Sequence, residues 1–134
     1  MLFRSQFLQR LQTKMREWEK TIAPAQGKPL MAYHNTWAYF ARRFRLNFAA
    51  TIEPRPGVPP SPVHLAELQK IVQKQILTVI VRGPHEPLQH AQFLAGKSGA
   101  KLVVLAASVG AVPQANDYFA LFDYNIGALA QVFR

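Results

Sequence analysis

At 134 residues, 49% hydrophobic and 17% charged, the chain is long enough for one domain with a buried core and is not disordered by composition. It contains no cysteine, which excludes disulfides, thiolate metal sites and cysteine nucleophiles, so a metal site would need His, Asp or Glu. Sixteen Lys and Arg against seven Asp and Glu give a formal +9, which makes nucleic acid or an anionic membrane partners to test, although the excess is spread along the sequence and only Arg42, Arg43 and Arg45 cluster.

The first element is an amphipathic helix over residues 3–22. Phe3, Phe7, Leu8, Leu11, Met15, Trp18 and Ile22 recur at three- and four-residue steps and share one face. Pro24, Gly27 and Pro29 end it. At 1.5 Å per residue it is about 30 Å long, which is long for so small a domain, and its apolar stripe needs a partner. Its opening, MLFRSQFLQRLQTK, is interrupted by charges and has no small-residue cleavage site after it. It is therefore not a secretory signal, and the chain as written is expected to stay in the cytoplasm.

Strands and helices then alternate. Leu30–Tyr33 is a short apolar strand, Thr36–Arg45 a helix and Phe48–Ile52 a second strand. EPRPGVPPSP is a proline-rich loop that cannot pair regularly. Ser61 caps the next helix with Pro62 at its first position, and Leu65, Leu68, Ile71 and Val72 form its inner face. Thr78–Val81 is a β-branched strand, Leu88–Lys97 a helix closed by Gly99, and Leu102–Leu105 a fourth strand. Asp117–Phe133 is the last helix, with an expected stripe of Leu121, Phe122, Asn125, Leu129 and Val132.

Continuous rather than alternating apolar strands mean that both sheet faces are covered. The expected architecture is α/β, a three-layer sandwich with a four-stranded parallel sheet, preceded by a long amphipathic helix. Right-handed crossovers put His34, Glu53, His85 and Ser108 at one sheet edge, where open α/β sheets bind ligands.

His34 is the sharpest candidate, because imidazole is a common zinc ligand. From position alone, a packing or helix-capping role is the better account of it. His85 and Glu86 lie in the third strand-to-helix loop, and His64 and His90 fall inside helices. No two histidines have the spacing of a helical zinc motif, and no P-loop, G-x-S-x-G or G-x-G-x-x-G occurs. The aromatic and basic run from Trp37 to Arg45 is better explained by core packing than by base stacking.

Four segments, in order and nearly spanning the chain, carry a resemblance: REWEKTIAPAQGKPLMAYHNTWAYFARRF, PGVPPSPVHLAELQKIV, AKLVVLAASVGAVP and DYFALFDYNIGALAQVF. Together they resemble the metal-binding solute receptors of ABC transporters, the zinc and manganese group. The resemblance is to the C-terminal half only. It implies that residues 1–27 are the C-terminal part of an interlobe connecting helix and residues 28–134 the C-terminal α/β lobe. The first lobe, which supplies two family histidines, and the secretion signal are absent from these residues.

By the same resemblance His34 is a metal ligand at the end of the lobe's first strand. Ala106 and Ala107 stand where many members have an acidic ligand. The implied cargo is Zn2+, with Mn2+ as the alternative, bound weakly by this chain alone. The implied partners are a divalent metal ion, an ABC permease in the membrane, and either the missing N-terminal lobe or a second copy meeting the first helix. No nucleic acid is expected and no reaction is catalysed. The implied location is periplasmic or extracytoplasmic for a full-length parent of which this chain is a fragment. Two readings compete with it. One is a free-standing basic α/β module that binds nucleic acid or another polyanion. The other is a small enzyme with His34, His85 and Glu86 as acid-base groups.

Overall fold

A computed structural model describes residues 2–74 and 76–133. The helix α1 (Leu2–Ile22) is followed by a 3-10 turn at Ala23–Ala25, with Pro24 inside it. Strands β1 (Pro29–Ala32), β2 (Asn47–Thr51), β3 (Val79–Arg82) and β4 (Lys101–Val104) alternate with helices α2 (Ala38–Phe44), α3 (Pro62–Gln73), α4 (Gln89–Ser98) and α5 (Tyr118–Val132). The strands form one sheet in the order β2-β1-β3-β4, and every pairing is parallel. The expected four strands and five helices are all present, with ends displaced by one or two residues.

Alternation along the strands divides the interior into two cores. Leu30 and Ala32 of β1, with Val79 and Val81 of β3, face a layer built from Trp18 and Ile22 of α1, Phe44 of α2, and Phe119, Ile126 and Leu129 of α5. Met31 and Ile80 face the other way, onto Leu68 and Val72 of α3 and Ala91 and Leu94 of α4. Burial on both faces explains the unbroken apolar runs of β1 and β3 and makes the molecule a three-layer sandwich.

The caps follow their chemistry. Ser61 accepts from the His64 backbone N–H at 3.1 Å, and Asp117 from that of Ala120 at 2.8 Å. Gly99 closes α4 in the left-handed region at φ 76. Arg45 closes α2 at φ 56, a conformation glycine adopts more easily.

Two expectations shift. The stripe on α5 is rotated: Phe119, Asn125, Ile126, Leu129 and Ala130 are buried, while Leu121, Phe122 and Val132 are only partly so. The reason is that α5 packs on both the sheet and α1, so a wider arc is covered than one stripe. Along α1, burial fades toward the start. Trp18 and Ile22 are 3% and 0% exposed, whereas Phe7 is 42% and Phe3 86% exposed. Asp123 of α5 pins the buried end by accepting from the Trp18 indole N–H at 2.8 Å and from Lys14 at 3.2 Å. No described helix is long and apolar enough to cross a membrane.

Candidate metal centre

A parallel sheet sends every strand-to-helix connection out of one edge. His34 leaves β1 there, and Glu53 leaves its neighbour β2. The pairing of Ala32 with Thr51 sets the register, and two further backbone bonds extend it past the strand ends. The Ile52 N–H donates to Ala32 O at 2.9 Å, and the Glu53 N–H donates to Tyr33 O at 3.0 Å. His34 and Glu53 therefore emerge side by side. His34 Nδ1 lies 3.4 Å from Glu53 Oε2.

Each residue is held in place. The Glu53 side chain is only 12% exposed, and its Oε2 accepts from the Gly57 N–H at 3.1 Å across the proline-rich loop. The Thr51 hydroxyl donates to Glu53 O at 2.8 Å. The Tyr33 ring meets the His34 imidazole edge-on, with centroids 5.5 Å apart. Burial first, then the carboxylates of Glu53 and Glu86, raise the Tyr33 phenol above its ordinary value near 10. Proton loss there would put a third negative charge among buried neighbours.

His34 borders a cavity of about 260 Å³ with Asn35, Trp37, Asn47 and Thr51. With Nδ1 3.4 Å from a carboxylate, the ring has its other nitrogen, Nε2, left to serve as a metal donor. The helix-capping role weighed for His34 fails. Helix α2 begins at Ala38 with Trp37 at its N-cap, so His34 lies four residues before the first helical position. Trp37 itself is buried, 7% exposed, and the helix starts two residues later than the expected Thr36.

The other sequence candidates separate. Glu86 folds back onto its own loop, where Oε1 accepts from the Gly83 N–H at 2.7 Å. Its Oε2 is buried without a hydrogen-bond partner among the described residues. Arg82 ties the same loop by donating to Gly83 O and Glu86 O, both at 3.0 Å. His85 is exposed. His64 is engaged elsewhere, donating from Nε2 to Thr51 O at 2.9 Å.

At the end of β4, Ala106 is buried and gripped by Asn125. Asn125 Oδ1 accepts from the Ala106 N–H and its amide donates to Ala106 O, both at 2.8 Å. Beyond it lies a larger groove of about 370 Å³, walled by Trp18, Trp37, Phe40, Tyr118 and Phe122. It is apolar and has no carboxylate or imidazole in its lining. Among the described residues, no cluster of three or more His, Cys, Asp or Glu is placed to hold a metal ion. Among the described residues, the His34 imidazole has one carboxylate, that of Glu53, beside it.

The sequence reasoning placed Glu53 at this edge but did not join it to His34. A signal existed, because both stand two positions past the end of a strand. Using it required knowing that β1 and β2 are neighbours.

The family model for the periplasmic zinc-uptake complex component A, ZnuA, matches residues 4–132. No curated protein matches. Among solved structures, the laminin-binding protein Lmb of Streptococcus agalactiae, described as a bifunctional protein with adhesin and metal transporting activity, is similar at 22% identity and a TM-score of 0.76, over 97% of this chain and 51% of that one. A Zn(II)-bound mutant variant of AdcAII from Streptococcus pneumoniae is similar at 25% identity and a TM-score of 0.70, over 97% of this chain and 48% of that one. The solute-binding protein FpvC of Pseudomonas aeruginosa, in complex with Mn2+, is similar at 20% identity and a TM-score of 0.67, over 93% of this chain and 49% of that one. The chain spans about half the length of the solved proteins it matches.

Proposed function

Because the chain belongs to the family of the periplasmic zinc-uptake complex component A, we propose that it is one half of a divalent-metal solute-binding component of an ABC importer. In this reading His34 binds the cargo ion through Nε2, and Glu53 orients the ring from behind. The single observation that carries it is the 3.4 Å approach of Glu53 Oε2 to Nδ1 at the carboxyl edge of the sheet. The cargo is Zn2+, with Mn2+ as the alternative. Zn(II)-bound and Mn2+-bound proteins both stand among the similar structures.

Zinc takes about four donors. One imidazole does not retain it, so the remaining ligands come from outside these 134 residues. Residues 1–27 then serve as the end of a connecting helix and residues 28–134 as one lobe. The exposed start of α1, including Phe3 and Phe7, meets the other lobe or a second copy. The work is capture and delivery to a membrane permease on the extracytoplasmic side, with no covalent bond of a substrate made or broken.

Calorimetric titration with Zn2+ tests the ligand. Weak binding is expected from the native chain and none from His34→Ala. Equal affinity with and without the imidazole would remove His34 from the site. Sedimentation tests the helix: a monomer at all concentrations would count against an uncovered face on α1.

A further inference from the structure

The cations scattered along the sequence are gathered in space by the topology. Because all four strands are parallel, their starts share the edge opposite His34. Lys28 immediately precedes β1, Arg45 lies two residues before β2, Lys74 caps the end of α3 ahead of β3, and Lys101 opens β4. Lys20 and Lys97 stand in the last turns of α1 and α4 at the same edge. All six are exposed, and among the described residues none is in a salt bridge. The carboxylate bordering Lys20 and Arg45 is Glu19, which Arg43 already holds at 2.8 Å. The carboxylates Glu53, Glu86 and Asp117 lie at the other edge.

We propose that this amino edge is a docking surface for an anionic phospholipid bilayer, with Lys74, Lys97, Lys101 and Arg45 against the headgroup phosphates and Ile76 entering the interface. The surface is separate from the metal centre. Helix dipoles account for cations such as Lys20 and Lys97 in the last turns. They do not account for Lys28 and Lys101, which lie outside any helix. Ile76 is the second observation. It is 59% exposed in the α3–β3 connection, two residues from Lys74, and among the described residues it is the exposed large apolar side chain of this edge's loops. A protruding aliphatic group beside lysines matches a surface with phosphates outside and hydrocarbon beneath. A soluble polyanion has no hydrocarbon layer for it to enter.

Co-sedimentation of the full chain with vesicles tests this. Binding is expected to vesicles of phosphatidylcholine with phosphatidylglycerol, but not to phosphatidylcholine alone, and to weaken as salt rises. Each cation near an anionic leaflet strengthens binding roughly fivefold. The pair Lys74→Gln/Lys97→Gln should therefore weaken it about twenty-fivefold. Ile76→Ser should weaken it about fivefold while leaving heparin binding unchanged. An equal loss of charge elsewhere, Arg4→Gln/Arg55→Gln, should cost no more than about twofold. Circular dichroism establishes that each variant is folded. Equal binding to neutral vesicles, equal losses in the two charge pairs, or indifference of vesicle binding to Ile76→Ser would each overturn the proposal. The last result, with heparin bound as tightly as vesicles, would assign the edge to soluble polyanions instead.

Discussion

The two edges of the one sheet are organised in opposite ways. At the carboxyl edge, side chains are held by specific bonds: Glu53 by the Gly57 amide, Glu86 by that of Gly83, and the Ala106 backbone by Asn125. At the amino edge, Lys28, Lys74 and Lys101 are exposed and in no salt bridge among the described residues, and the one aromatic partner is the Phe133 ring under Lys28 at 5.3 Å. The contrast matches the demands of the two proposed roles. A metal ion demands donors at set distances, which requires restraint. A charged surface demands only density of charge, which tolerates mobile side chains.

If this contrast is right, substitutions at the carboxyl edge should act one residue at a time and those at the amino edge only in sum. The largest effect is expected from Asn125→Ala, which leaves the buried Ala106 N–H and C=O without partners. A loss of about 3 kcal/mol in urea unfolding is expected. His34→Ala should leave that unfolding curve nearly unmoved and abolish zinc binding in calorimetry. Glu53→Gln should keep zinc binding but weaken it about tenfold, the size expected for loss of an orienting carboxylate. If Glu53→Gln costs as much as His34→Ala, the carboxylate is itself a ligand.

At the amino edge, Lys97→Gln should shift unfolding by no more than about 0.5 kcal/mol. A larger shift would make its role structural and blur the contrast. The smallest effect lies in alkaline solution. Below about pH 10 the Tyr33 phenol is neutral whether the chain is folded or not. Above that, the unfolded phenol ionises first, so stability falls as pH rises through the raised folded-state value. Glu53→Gln should bring Tyr33 ionisation nearer the ordinary range, followed by ultraviolet difference titration.

Sequence reasoning recovered whatever depends on neighbours in the chain. Unbroken apolar runs at β1 and β3 predict a sheet covered on both faces. Ser61 and Pro62 mark the start of α3, and Gly99 the end of α4. It failed where distant segments decide. The pairing of His34 with Glu53 follows from the neighbouring places of β1 and β2, which no local pattern encodes. The α5 stripe was misplaced because that helix is packed from two sides. The bidentate hold of Asn125 on Ala106 needed coordinates, since an Asn within a helical stripe carries no sign of its acceptor. The cations of the amino edge lie far apart in sequence, and only the parallel topology brings them to one edge.

Arg45 brings out one more consequence. Its backbone sits at φ 56, where a glycine would relieve roughly 1 kcal/mol of strain. Arg45→Gly is therefore a single substitution expected to make the chain more stable. Thermostability selection in the laboratory should find Arg45→Gly early. Vesicle binding by those winners would show what the exposed guanidinium contributes at the amino edge.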